Sequence, residues 1–151
     1  MIKVNVLVSN KAWKKHIKSP SIYLKKKLKK IILFKKNKLT FSLLLSGDSE
    51  IKKLNKKFRK KNKITDTLSF PFYEKIILYK LMKNVNNNIY LGDIIINLNK
   101  IIKQSKKENF LIVFDKIWIH GLTHLLGHKH ESNQDFFRMQ KLENKIIKSI
   151  Q

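Results

Sequence analysis

Residues 120 to 130 read His-Gly-Leu-Thr-His-Leu-Leu-Gly-His-Lys-His. His120 and His124 are four apart, so on a helix their imidazoles lie on one face, one turn apart. Gly127 can take the left-handed conformation that ends a helix. The chain can then turn back and bring His130 to the same point. Three neutral imidazoles converging from a helix and the turn after it leave a fourth position for water. That is the layout of a catalytic rather than a structural zinc. Imidazole also suits copper, iron and nickel, but zinc accepts three nitrogens plus water and needs no redox chemistry. The chain has no cysteine, so disulfides and thiolate ligands are excluded and a transition metal must use histidine and carboxylates. His128 sits between these ligands in sequence. It could replace His130, act as a base, or support a ligand. His16, far from the cluster, reads as surface.

Outward from the cluster, Asn109 can cap a helix from Phe110 to Leu126. Its apolar positions (Leu111, Val113, Phe114, Ile117, Trp118, Leu122, Leu125) surround it, which predicts a buried central helix. Ser132 can cap the last helix, with Phe136, Met139, Leu142, Ile146 and Ile147 on one side. Upstream, residues 2–8, 39–45, 66–72 and 89–97 read as strands, and Pro71 puts the third at an edge or stops it there. Helical spacing predicts helices over 21–35, over 48–60 with Asp48 as N-cap and Ile51, Leu54 and Phe58 on one face, and from Asn97 to about Lys107. Residues 74–88 read as a short helix or a hairpin arm. The order predicts an α/β (α+β) fold in a single domain, residues 1–151, with one mixed four-stranded sheet packed against about five helices. The zinc-ligand helix lies at its centre.

Hydrophobic residues make up 42% and charged residues 29%, as in a globular chain with a real core. No apolar run reaches membrane-spanning length, and the alternating start at Met1 lacks the pattern of a secretory signal, so a cytoplasmic protein is expected. The net charge is +24, from 34 basic and 10 acidic residues. Lys, Ile and Asn have A/T-rich codons, which accounts for many lysines but not for so few acids. Nucleic acid is therefore the favoured partner.

The spacing of His120, His124, Gly127 and His130 also matches that of the metzincin peptidases. Where those enzymes carry a glutamate general base, this chain has Gly121, which cannot take a proton. A metallopeptidase is disfavoured, but phosphoryl chemistry at a metal is not.

Further stretches accompany the histidines: Leu54-Asn55-Lys56-Lys57-Phe58-Arg59, Thr65-Asp66-Thr67-Leu68-Ser69-Phe70-Pro71, Leu91-Gly92-Asp93-Ile94 and Met139-Gln140-Lys141-Leu142-Glu143. In this order, from about residue 50 to 147, they resemble the YbeY family of bacterial zinc-dependent endoribonucleases. The family's Tyr-Asp before the third histidine is here His128-Lys129. The resemblance implies one zinc per chain on His120, His124 and His130, and a functional arginine at Arg59, where a guanidinium can clamp a phosphate. No general base is evident, and His128 is a weak candidate. Asp66 could orient a ligand or Arg59, and Asp93 could tie the fourth strand to backbone. The implied function is single-strand-selective endoribonuclease action in ribosomal RNA processing, chiefly small-subunit RNA maturation, and in ribosome quality control. Ribosomal RNA, the small ribosomal subunit and ribosome-associated proteins are the implied partners. Lysines of the second helix and of residues 56–63 would steer the RNA. The rival reading is a non-catalytic ribosome-assembly factor that binds RNA and holds a structural zinc.

Overall fold

The computed structural model describes residues 1–151. Alternating and β-branched stretches form strands β1 (Ile2–Val8), β2 (Lys38–Ser46), β3 (Thr67–Pro71) and β4 (Asn88–Asn97). The helices are α1 (Pro20–Lys29), α2 (Asp48–Arg59), α3 (Lys75–Met82), α4 (Leu98–Gln104), α5 (Phe110–Leu125) and α6 (Asn133–Ile150). A 3-10 turn covers Lys11–Lys15. The sheet order is β1-β2-β4-β3. The first two pairings are parallel and β3 runs antiparallel to β4 at the edge, which places Pro71 where a missing N–H costs least. The mixed four-stranded sheet is as expected. There are six α-helices rather than about five, because residues 75–82 form a helix of their own.

One face of the sheet carries the main core, in which Trp13, Phe41, Phe114 and Trp118 are fully buried. The other face is covered by α2 through a small cluster of Ile51, Leu68 and Ile95. Helix α5 packs against β3, β4, α4 and α6, so nearly all its sides are apolar. Its one buried charge, Asp115, accepts hydrogen bonds from Tyr23 Oη (2.9 Å) and Trp118 Nε1 (2.8 Å) and pairs with Lys27 Nζ at 3.0 Å. A buried carboxylate satisfied in this way ties α1 to α5. Asn97, Asn109 and Ser132 cap α4, α5 and α6 through their side chains, as the sequence predicts.

Three local expectations differ. Helix α1 ends at Lys29 rather than continuing to residue 35, and Ile32 is 70% exposed. The chain turns there to start β2, and the Met1 amino group donates to Phe34 O across that turn (2.6 Å). Gly47, not Asp48, occupies the N-cap of α2. The Asp48 carboxylate instead accepts from Asn97 Nδ2 (2.7 Å) and Asn99 Nδ2 (2.9 Å), pinning α2 to the β4–α4 junction. Those two hydrogen bonds hold its carboxyl below the usual range. Finally, Phe58 is 57% exposed and leans edge-on against Phe70 rather than entering the core.

The Leu-Gly-Asp stretch owes its glycine to geometry. Phe41 of β2 faces two residues of β4, a bulge that leaves Gly92 at φ +132°. A Cβ at Gly92 would lie 2.1 Å from Phe70 O, so no other residue fits. The bulge also lets Phe72 N donate to Leu91 O (2.9 Å), which fixes the end of β3.

Candidate metal centre

Helix α5 ends in a Schellman turn: Gly127 N donates to His124 O (2.9 Å) and His128 N donates to Thr123 O (3.1 Å). Gly127 has φ +86°, and a Cβ there would also press on Lys75 Cβ at 2.8 Å. The reversal brings His130 back beside the last two turns of the helix. Ring nitrogens of His120, His124 and His130 then lie within 4.8 Å of one another, a group that could hold a metal ion.

The neighbours of these rings decide which nitrogens face inward. His120 Nδ1 is 2.8 Å from Glu143 Oε1 on α6, and His124 Nδ1 is 2.9 Å from His128 O. Both partners only accept, so both Nδ1 atoms carry the proton and both Nε2 atoms carry a lone pair. The two Nε2 atoms are 3.1 Å apart. Two lone pairs at that distance repel unless a cation sits between them. Nitrogens bound to one tetrahedral zinc are about 3.3 Å apart. The donor set therefore fits a divalent transition ion, with exposed His130 completing it. Burial, and then the neighbouring His120, push the pKa of His124 down to about 4, so this imidazole stays neutral and available to a metal at neutral pH.

The histidines line an open cleft of about 1120 Å³. Arg59, at the last turn of α2, enters it from the β3 side. Its Nη2 donates to Ser69 O (2.6 Å), and its guanidinium lies over the Phe70 ring at 5.5 Å. No carboxylate pairs with it. The His128 ring also lines the cleft but stays outside the three-histidine group. Burial and the Lys75 ammonium hold its pKa below the ordinary histidine value. Asp66 lines the cleft, but its carboxylate accepts from Thr67 N (2.7 Å) and from neither Arg59 nor a histidine. Asp93 lies elsewhere and accepts from Tyr90 Oη (2.6 Å) instead of tying β4 to backbone. His16 is exposed and stacks on Phe110 at 4.5 Å.

Charge in the cleft is balanced. Arg59, Lys75, Lys129 and Arg138 are matched in number by Asp66, Glu74, Glu131 and Asp135. Lys129 is spent on Glu131 at 3.8 Å. The surplus of +24 therefore lies outside the cleft.

Gly121 is buried against the sheet, and a Cβ there would meet Ile94 Cγ2 at 2.8 Å. The position that carries a glutamate in the peptidases is thus taken up by close packing of α5 on β4. Sequence reasoning quoted Glu143 in a motif but gave it no role. The signal was a carboxylate in the middle of α6, four residues after buried Met139 and next to Leu142.

A mixed sheet backing a helix that presents two imidazoles, with a third on the following turn, is an arrangement that could hold a metal, as in metal-dependent hydrolases. The comparisons narrow this. A family profile described as Endoribonuclease YbeY matches residues 6–151. The chain is similar to the Endoribonuclease YbeY of Pelagibacter ubique (40% identical, covering 99% of this chain and 97% of the relative). It is also similar to that of Thermodesulfovibrio yellowstonii (41% identical, 83% and 76%). The solution structure of TM1509 from Thermotoga maritima shares the fold at a TM-score of 0.52 and 23% identity, over 97% of this chain and 89% of that one. The chain belongs to the Endoribonuclease YbeY family.

Proposed function

We propose that this protein is a metal-dependent endoribonuclease that cuts single-stranded segments during ribosomal RNA processing, with one zinc on His120, His124 and His130. The observation that carries the proposal is the convergence of three inward-facing imidazoles with an unpaired guanidinium in one cleft, in a chain of this family. A bound zinc supplies Lewis acidity toward a phosphoryl oxygen and lowers the pKa of water. The residues of the chain do the rest. Arg59 keeps free N–H groups that can clamp a phosphate in two-point fashion, and Ser69 O with the Phe70 ring holds it in place beforehand. Glu143 and the His128 carbonyl keep the two helix imidazoles turned inward. His128, whose ring lines the same cleft, is kept as the weak candidate base.

Ribosomal RNA of the small subunit, ribosome-associated proteins, a role in ribosome quality control and a cytoplasmic setting belong to the same proposal. No helix is long and apolar enough to cross a membrane. The assembly-factor reading would gain from a fourth protein ligand, and the exclusion of His128 from the group counts against it. The peptidase reading fails at Gly121. Arg59 also occupies Ser69 O on the edge strand, an acceptor that an extended peptide would need. The test is cleavage of single-stranded RNA by zinc-loaded protein beside His124→Ala and Arg59→Ala. The proposal expects activity that both substitutions remove. Equal residual cleavage in all three preparations would mean a contaminating nuclease and sink the enzymatic claim.

A further inference from the structure

The chemistry assembled around the metal site recognises phosphate, and nothing in it distinguishes a single strand from a duplex. One unused feature of the same cleft does. Phe72 follows the end of β3, lines the cleft with the histidines, and is 65% exposed. Its backbone is not loose, because Phe72 N is bonded to Leu91 O through the Gly92 bulge. Its two aromatic neighbours, Tyr73 at 4.9 Å and Tyr90 at 5.9 Å, meet it edge-to-face at interplanar angles of 78° and 74°. No ring stacks on it in parallel. Ile76, at the start of α3, lines the same cleft and is 70% exposed. The cleft therefore carries two exposed apolar side chains, one of them on a pinned backbone, together with a guanidinium that no carboxylate pairs with.

We propose that Phe72 is the base-stacking platform of the cleft: an unpaired RNA base lies on its ring, flanked by Ile76, while the neighbouring phosphate reaches Arg59 and the metal site. This inference rests on the endoribonuclease reading and names how that site selects its substrate. A flat apolar ring in one cleft with a free guanidinium is the pairing that single-stranded nucleic acid requires, since every base has a π-face and every nucleotide a phosphate. A base inside a duplex is already stacked on both sides and cannot lie on the ring. Selection for single strands then needs no base-specific hydrogen bond.

The experiment uses the full-length protein, zinc-loaded, with short single-stranded RNA bearing 2-aminopurine or an abasic site at each position in turn. Phe72→Ala should weaken binding of the intact strand by about tenfold or more, the scale of one base–aromatic stack. Phe72→Trp should retain binding, and quenching of its fluorescence should report the stack directly, because Trp13 and Trp118 are both fully buried. An abasic site at one position should cost wild type the same factor and cost Phe72→Ala nothing more. If Phe72→Ala binds as tightly as wild type, or if its loss and the abasic loss simply add, the platform is overturned even though wild type cleaves. If wild type binds with base-dependent stacking but cleaves nothing, the platform stands and the endoribonuclease reading falls. Circular dichroism and thermal melting of both variants keep misfolding from imitating the result.

Discussion

Glu143 is the residue whose removal separates orientation from ligation. Glu143→Gln keeps the size and an acceptor but loses the charge that favours Nδ1–H on His120. Zinc affinity should fall about 10- to 100-fold in a chelator competition while the apo protein melts close to wild type. A second residue-scale expectation concerns Arg59. Arg59→Ala should lower kcat/KM on RNA by about a hundredfold or more, and Arg59→Lys should recover only a small part, because an ammonium keeps the charge but not the two-point geometry. His124 sets a pH dependence in the metal-free protein. Its pKa is about 4 when folded and near 6.5 when unfolded. The unfolded chain therefore binds the extra proton first, so apo stability should decline as pH falls from about 6.5 to about 4. Urea melts of His124→Gln across that window should show a flatter decline. The three histidines were legible because i, i+4 spacing and a glycine are local signals. Glu143 was not, because its bond to His120 spans 23 residues and two helices.

Among the elements, caps and strands were legible where the deciding contact is local. Asn97, Asn109 and Ser132 each bond a backbone N–H two or three residues on, so the sequence shows both partners. Asp48 looks the same in sequence, yet its partners Asn97 and Asn99 come from another element and win the side chain. The pairing of β3 with β4 was equally hidden, since it brings together residues 20 or more apart, and it ends where Gly92 lies against Phe70 O. Gly92→Ala should therefore act on β3 more than on β4. It should lower stability by about 2 kcal/mol or more in denaturant unfolding, and hydrogen exchange should speed up first at the amides of residues 67–72.

For the whole molecule, steering and chemistry occupy different places. The lysine surplus lies outside a cleft whose own charges are matched. Stripping the metal with a chelator should abolish cleavage yet leave RNA binding steeply salt-dependent with nearly the same slope, because the slope counts phosphate contacts over the surface. A slope that collapses with the metal would show instead that the cleft carries the electrostatic attraction. Zinc should also raise thermal stability, by about 4 kcal/mol at a thousandfold excess over Kd, since the unfolded chain cannot hold the three imidazoles together.

The contact of Gly121 with Ile94 bears on how such a site can evolve. Glycine and glutamate codons can differ by one base, so the peptidase arrangement is a single mutation away in the gene. In the folded chain it is much further. On the helix that carries His120 and His124, the groups the new glutamate would have to serve, a side chain at 121 would first collide with the Ile94 side chain. Two chemistries that are neighbours in the genetic code are thus kept apart by helix–sheet packing. A smaller residue at 94 would remove that obstacle.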